Sequence, residues 1–148
     1  MSLASAAAVS IEVLAKYVAS DRLKLAAQHR RDANVMIRQE PPLYRSAISR
    51  YYYAMYHAMR AATFVFHGGD DFEEHSKLPL NLPADFPDKS KWQTALKDAR
   101  LARNAADYDP YPRSNSSWQI KATSLKITTA SLMTDVKAYL IGKGCTRI

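Results

Sequence analysis

At 148 residues the chain has the length of one domain, and 47% hydrophobic with 10% aromatic residues suffices for a core without disulfide or metal staples. Its 21 Lys and Arg against 14 Asp and Glu leave a net charge of +7, which favours an anionic partner, nucleic acid first. Solubility alone is the other reading, because the cations are spread rather than run together. The single cysteine, Cys145, excludes an internal disulfide and points to a reducing compartment, and no apolar run reaches the roughly 18 residues of a membrane span. The Ala/Ser-rich start lacks a basic stretch before it, so no signal peptide and no membrane association are expected, and the expected location is cytoplasmic.

With 4 glycines and 7 prolines, mostly clustered, long stretches are free to be helical. A first short helix is expected over residues 9–18, where Val9, Val13, Leu14, Tyr17 and Val18 form a stripe. Ser20-Asp21 reads as the N-cap of a second helix, residues 22–39, rich in charge and expected to lie largely at the surface. Pro41-Pro42 ends it and places a proline at the first position of the third helix, the longest and clearest. There Tyr44, Ile48, Tyr51, Met55, Ala58, Met59, Ala62 and Phe66 mark one broad buried face, which Gly68-Gly69 closes.

Residues 70–90 carry three prolines among Leu80, Leu82 and Phe86, the pattern of a loop packed onto the bundle. A fourth helix over 91–106 has Trp92, Ala95, Ala99, Ala102 and Ala106 on one stripe, small enough for close approach to the third. After Pro110 and Pro112, Ser116-Ser117 caps a fifth helix with the stripe Trp118, Ala122, Leu125, Thr129, Leu132, Val136 and Leu140; Gly142 and Gly144 end it. The predicted fold is all-α: an antiparallel bundle of about five helices in a single domain, residues 1–148.

Two segments carry the candidate chemistry. On the third helix Arg50, Tyr53, His57 and Arg60 fall at steps of three and four and should share a face, while three consecutive tyrosines from Tyr51 cannot all face the core. Packing with hydroxyls at the rim is one reading of this stripe; a cationic, aromatic surface for phosphates and bases is the other. Near the end of the fourth helix, Arg103 and Asp107 are spaced for an intrahelical ion pair, although Arg103 and Asn104 could instead hold a phosphate or a partner. His29, His57, His67 and His75 give no metal-ligand spacing with the lone cysteine, so no metal or cofactor is expected and each histidine is assigned to the surface or rim. Gly68-Gly69 is a helix stop rather than a phosphate loop, Ser49 lacks a nucleophile elbow, and residues 70–74 read as a solvated acidic loop.

The helix SAISRYYYAMYHAMRAA followed by ARLARNAADYDPY resembles the HEPN domain, in which a SRAYYAMFHAARAL-like helix precedes a helix ending in an arginine-containing ADY turn. The likeness covers about residues 22–140 and includes His75 in the intervening loop. It implies an RNA-associated protein of a toxin–antitoxin or phage-defence system. Many HEPN proteins are metal-independent endoribonucleases in which an arginine, a polar neighbour and a histidine a short spacer later meet the same set across a homodimer. There the histidine moves a proton to or from the 2′-hydroxyl and the arginine stabilises phosphorane charge.

Carried onto this sequence, Arg103 matches the arginine and Asn104 the polar neighbour, but the histidine is missing. Asp107, Tyr108 and Asp109 occupy its spacings. A tyrosine with a pKa of about 10 is a poor base near neutrality and an aspartate of about 3.9 a poor acid, so neither replaces imidazole directly. The implied catalytic set is therefore Arg103, Asn104 and Tyr108, and the implied RNA- or nucleotide-binding set is Arg50, Tyr53, His57, Arg60, Arg100, Asp107 and Tyr111. Implied partners are RNA or a nucleotide, a second copy of the chain, and a cognate antitoxin or nucleotidyltransferase. The alternative is a non-catalytic HEPN-like binding or regulatory partner, for example of a nucleotidyltransferase that modifies Tyr108 or Tyr111. A structural bundle whose basic charge is incidental is the third reading.

Overall fold

The computed structural model describes residues 3–69, 72–110, 114–145 and 148, with side chains from residue 12 onward. Four helices form an all-α bundle: α1 Leu3–Met36, α2 Tyr44–Phe66, α3 Lys89–Tyr108 and α4 Asn115–Gly142, with a short 3-10 helix at Leu78–Asn81. Among the described residues there is no strand, and no helix is long and apolar enough to cross a membrane.

The helix count is four rather than five because the break expected at Ser20-Asp21 does not occur. A serine caps a helix only where the backbone leaves it, and neither glycine nor proline interrupts residues 3–36. Instead Ala19, Leu23, Ala26 and Ala33 carry one buried stripe straight through the expected boundary, with Ser20 buried inside it. These small side chains let α1 lie closely along α2, the most extensive helix pairing in the bundle. The earlier stripe is less covered than its periodicity suggested, since Val13, Leu14 and Tyr17 are all exposed.

α2 is the central element and packs against α1, α3 and α4. It is therefore buried nearly all round: Ile48, Tyr51, Tyr52, Met55 and Met59 are each 2% exposed or less. Its first residue is Tyr44, so Pro42 precedes the helix rather than opening it. At the other end Gly68 and Gly69 adopt φ of +67° and +116°, conformations that side chains oppose, and the Gly69 amide donates to the Phe64 carbonyl at 2.9 Å.

The connection after α2 packs as expected at Leu82 and Phe86, with Leu78 buried as well, whereas Leu80 faces solvent. Trp92 anchors the start of α3, fully buried, with its indole N–H donating to Asp135 of α4 at 3.1 Å. The N-cap of α4 is Ser114, two residues ahead of the expected pair, and its hydroxyl accepts from the Ser117 amide at 3.4 Å. All seven residues of the predicted α4 stripe are buried.

Candidate functional site

The polar flank of α2, the loop after it and the last turns of α3 converge on one surface. Tyr52 and Tyr56 sit one helical turn apart and turn buried rings toward the loop. The Tyr52 hydroxyl bonds His75 Nδ1, and the Tyr56 hydroxyl donates to the Glu73 carbonyl. The His75 imidazole lies on the Tyr56 ring, 4.3 Å between centroids and 15° from parallel. From α3, the Arg103 guanidinium stands 5.4 Å from the Tyr52 ring and 5.6 Å from that of Tyr53, within cation–π range. It also meets the Asp107 carboxylate at 3.7 Å, the expected four-residue ion pair. Ser49 donates to the same carboxylate at 3.4 Å. Arg60 covers the far side of Tyr56 at 5.1 Å and pairs loosely with Glu73 at 3.9 Å.

A second histidine pair extends this surface onto α1. His57 stacks on His29 with centroids 5.4 Å apart and planes 6° from parallel. Tyr53 touches both rings, at 6.3 Å and 5.8 Å, and Arg50 reaches His29 Nδ1 at 3.4 Å. Burial, followed by the nearby charges, pushes the His57 pKa down to about 4. Burial and Arg50 lower that of His29, with Asp32 opposing. For His75 the cause is burial first, then Arg103, Arg100 and Arg60. Three imidazoles are thus held neutral among guanidiniums that stay charged.

Several donors here are unanswered. Among the described residues, Nε of Arg100, Nε of Arg103 and Nδ1 of His57 are buried without a hydrogen-bond partner. Each unpaired buried polar group costs about 1–3 kcal/mol. Three guanidiniums, from Arg60, Arg100 and Arg103, gather around His75, and Asp107 answers Arg103.

Of the residues expected from sequence, Arg50, Tyr53, His57 and Arg60 do share the flank of α2, and Arg100, Arg103 and Asp107 join them from α3. Asn104 opens onto a neighbouring cleft together with Arg100 and His75. Tyr108 is not brought in: it is 72% exposed and takes part in none of the cluster's hydrogen bonds or ring contacts. Tyr111 lies outside the described residues. The segment from Arg103 to Tyr108 is not a turn but the continuing α3 helix. Its end is held by Arg45, which donates to the carbonyls of Ala106 at 2.7 Å and Asp109 at 2.8 Å.

The histidines lie at the surface or rim as expected, His67 exposed and His29, His57 and His75 half-buried, and the last three join one aromatic cluster. Sequence reasoning missed Tyr52, Tyr56 and His29 as site residues; Tyr52 and Tyr56 share a four-residue spacing, but no spacing joins them to His29 on another helix. Of the acidic loop, Asp70 and Asp71 lie outside the described residues, and Glu73 and Glu74 are exposed as expected, with loose pairs to Arg60 and Lys77.

Comparison with protein-family models, with curated proteins and with solved structures gives no match. The functional reading of this chain therefore rests on its own residues and on the motifs they form.

Proposed function

We propose that this chain is a HEPN-like, RNA-associated protein of toxin–antitoxin or phage-defence type, and that RNA binds on the surface made by α2, the His75 loop and α3. The observation that carries this reading is the meeting of Arg60, Arg100 and Arg103 around His75 and the stacked tyrosines. Phosphates meet the arginines and lysines, and unstacked bases find aromatic faces in Tyr53 and His57. Binding is better supported than cleavage, because no histidine follows Arg103 at the motif spacing. A second copy of the chain, pairing two Arg103 segments, belongs to the same proposal.

The test is RNA affinity measured across a salt series for the wild type and Arg103→Ala. The variant should bind about tenfold more weakly, and its plot of log K against log salt should be shallower by about one. Circular dichroism confirms that the variant folds, and Arg100→Ala provides a second check. Equal affinity and slope in wild type and variants would overturn the reading.

The exposure of Tyr108 at the end of α3 favours a second reading, a regulatory partner whose tyrosine is nucleotide-modified. Co-expression with a genomically adjacent nucleotidyltransferase, followed by mass spectrometry, should then show a nucleotidyl adduct on Tyr108. An unmodified chain with no stable complex counts against it.

A further inference from the structure

Beside the aromatic cluster, between the 3-10 helix and α3, lies an open cleft of about 420 Å3. Pro79 and Leu101 form its apolar wall, and His75, Lys97, Arg100 and Asn104 supply its polar groups. Lys97, Arg100 and Asn104 follow one another at steps of three and four, so α3 presents them along one face. No Asp or Glu is among the described residues that line the cleft.

His75 reaches the cleft from the opposite side with its ring held twice, stacked on Tyr56 and bonded through Nδ1 to the Tyr52 hydroxyl. Tyr52 is 2% exposed, and burial raises its pKa, so the hydroxyl keeps its proton. Among the described residues His75 Nδ1 is the one hydrogen-bond partner of that hydroxyl. A buried O–H with a single partner donates to it, which makes Nδ1 the acceptor. A neutral imidazole that accepts at Nδ1 carries its proton at Nε2. Nothing among the described residues hydrogen-bonds that Nε2.

We propose that this cleft is a phosphate subsite for a nucleotide chain, in which His75 donates from Nε2 to a non-bridging phosphate oxygen. Lys97 and Arg100 match the phosphate charge and the Asn104 amide offers a further N–H. Tyr52 is the positioning residue, because its hydroxyl selects the tautomer. In that tautomer Nε2 has no free lone pair to take a 2′-hydroxyl proton, so the histidine serves binding. The inference rests on the RNA reading and names the part of the surface that grips the backbone.

Side-chain 15N spectra of the full chain test it, first free, then with inorganic phosphate, then with an oligouridylate. The free chain should show His75 as the Nε2–H tautomer, and both additions should shift His75 Nε2 and Arg100 Nε. His75→Leu should weaken oligouridylate binding about tenfold, the scale of one lost hydrogen bond to a charged group, whereas His75→Gln keeps a donor and most of the affinity. Tyr52→Phe should mix the two His75 tautomers and weaken binding by a smaller factor. An Nδ1–H tautomer in the free chain, or RNA binding with no shift at His75, overturns the subsite and leaves the RNA reading standing. A phosphate shift without RNA binding overturns the RNA reading and with it the nucleotide assignment.

Discussion

Two polar networks in this bundle make an instructive contrast. At one end, Asp85 accepts from the Tyr139 hydroxyl at 2.8 Å and from Lys143, and nearby Asp135 accepts from the buried Trp92 indole. Each carboxylate there meets a donor, and the Lys143 hydrogen bond holds Asp85 below the usual carboxylate range despite opposition from burial. At the other end, Arg60, Arg100 and Arg103 crowd histidines and tyrosines, and among the described residues the buried Nε atoms of Arg100 and Arg103 have no acceptor. The first network ties α3, α4 and the connection between α2 and α3 together. The second gathers several guanidiniums around one imidazole. Crowded like charges oppose folding, which makes this cluster the better candidate for a site.

That contrast can be broken by experiment. The largest effect should come from Trp92→Ala, which empties the fully buried anchor of the first network and strips Asp135 of its donor. A loss of about 3–5 kcal/mol is expected in denaturant unfolding. A loss below about 1 kcal/mol would mean that this end is not the structural one.

A medium effect should appear with acid, and it should belong to the other network. The folded His57 pKa of about 4 lies below its unfolded value of 6.5, and His29 and His75 are shifted the same way. The unfolded chain therefore binds more protons across this window, so stability held above pH 6.5 is lost as pH falls toward 4. Unfolding midpoints measured through that range should decline, and His57→Leu should flatten the decline. An unchanged acid limb in the variant would remove His57 from the account.

The smallest effect should come from Asp85→Ala. Its partner Lys143 is 38% exposed and Asp85 itself 46%, so solvent screens the pair. A change of about 0.5–1 kcal/mol is expected, with RNA affinity unaltered. A fall in RNA affinity for this variant would erase the distinction between the two networks.

How much of this was legible beforehand differs by element. The face of α4 could be read directly from its apolar spacing, and that of α2 nearly so, with Phe66 at its end exposed. The continuity of α1 could not be read so simply: Ser20-Asp21 carries a capping signature, yet the signature is silent when the buried stripe runs on through it. Arg45 had no signal at all, since its role depends on α3 ending beside it.

For the site, sequence alone fixed the stripe Arg50, Tyr53, His57 and Arg60, because helical periodicity places those residues on one flank before any tertiary contact exists. It also fixed the absence of a histidine after Arg103 at the motif spacing. Only the tertiary structure decided that Tyr52 is buried against His75 and that Arg100 and Arg103 surround that imidazole. It likewise decided that Tyr108 stays apart from the cluster. The reason is physical: spacing along one helix determines which side chains share a face, whereas the meeting of three helices and a loop depends on how the whole core packs.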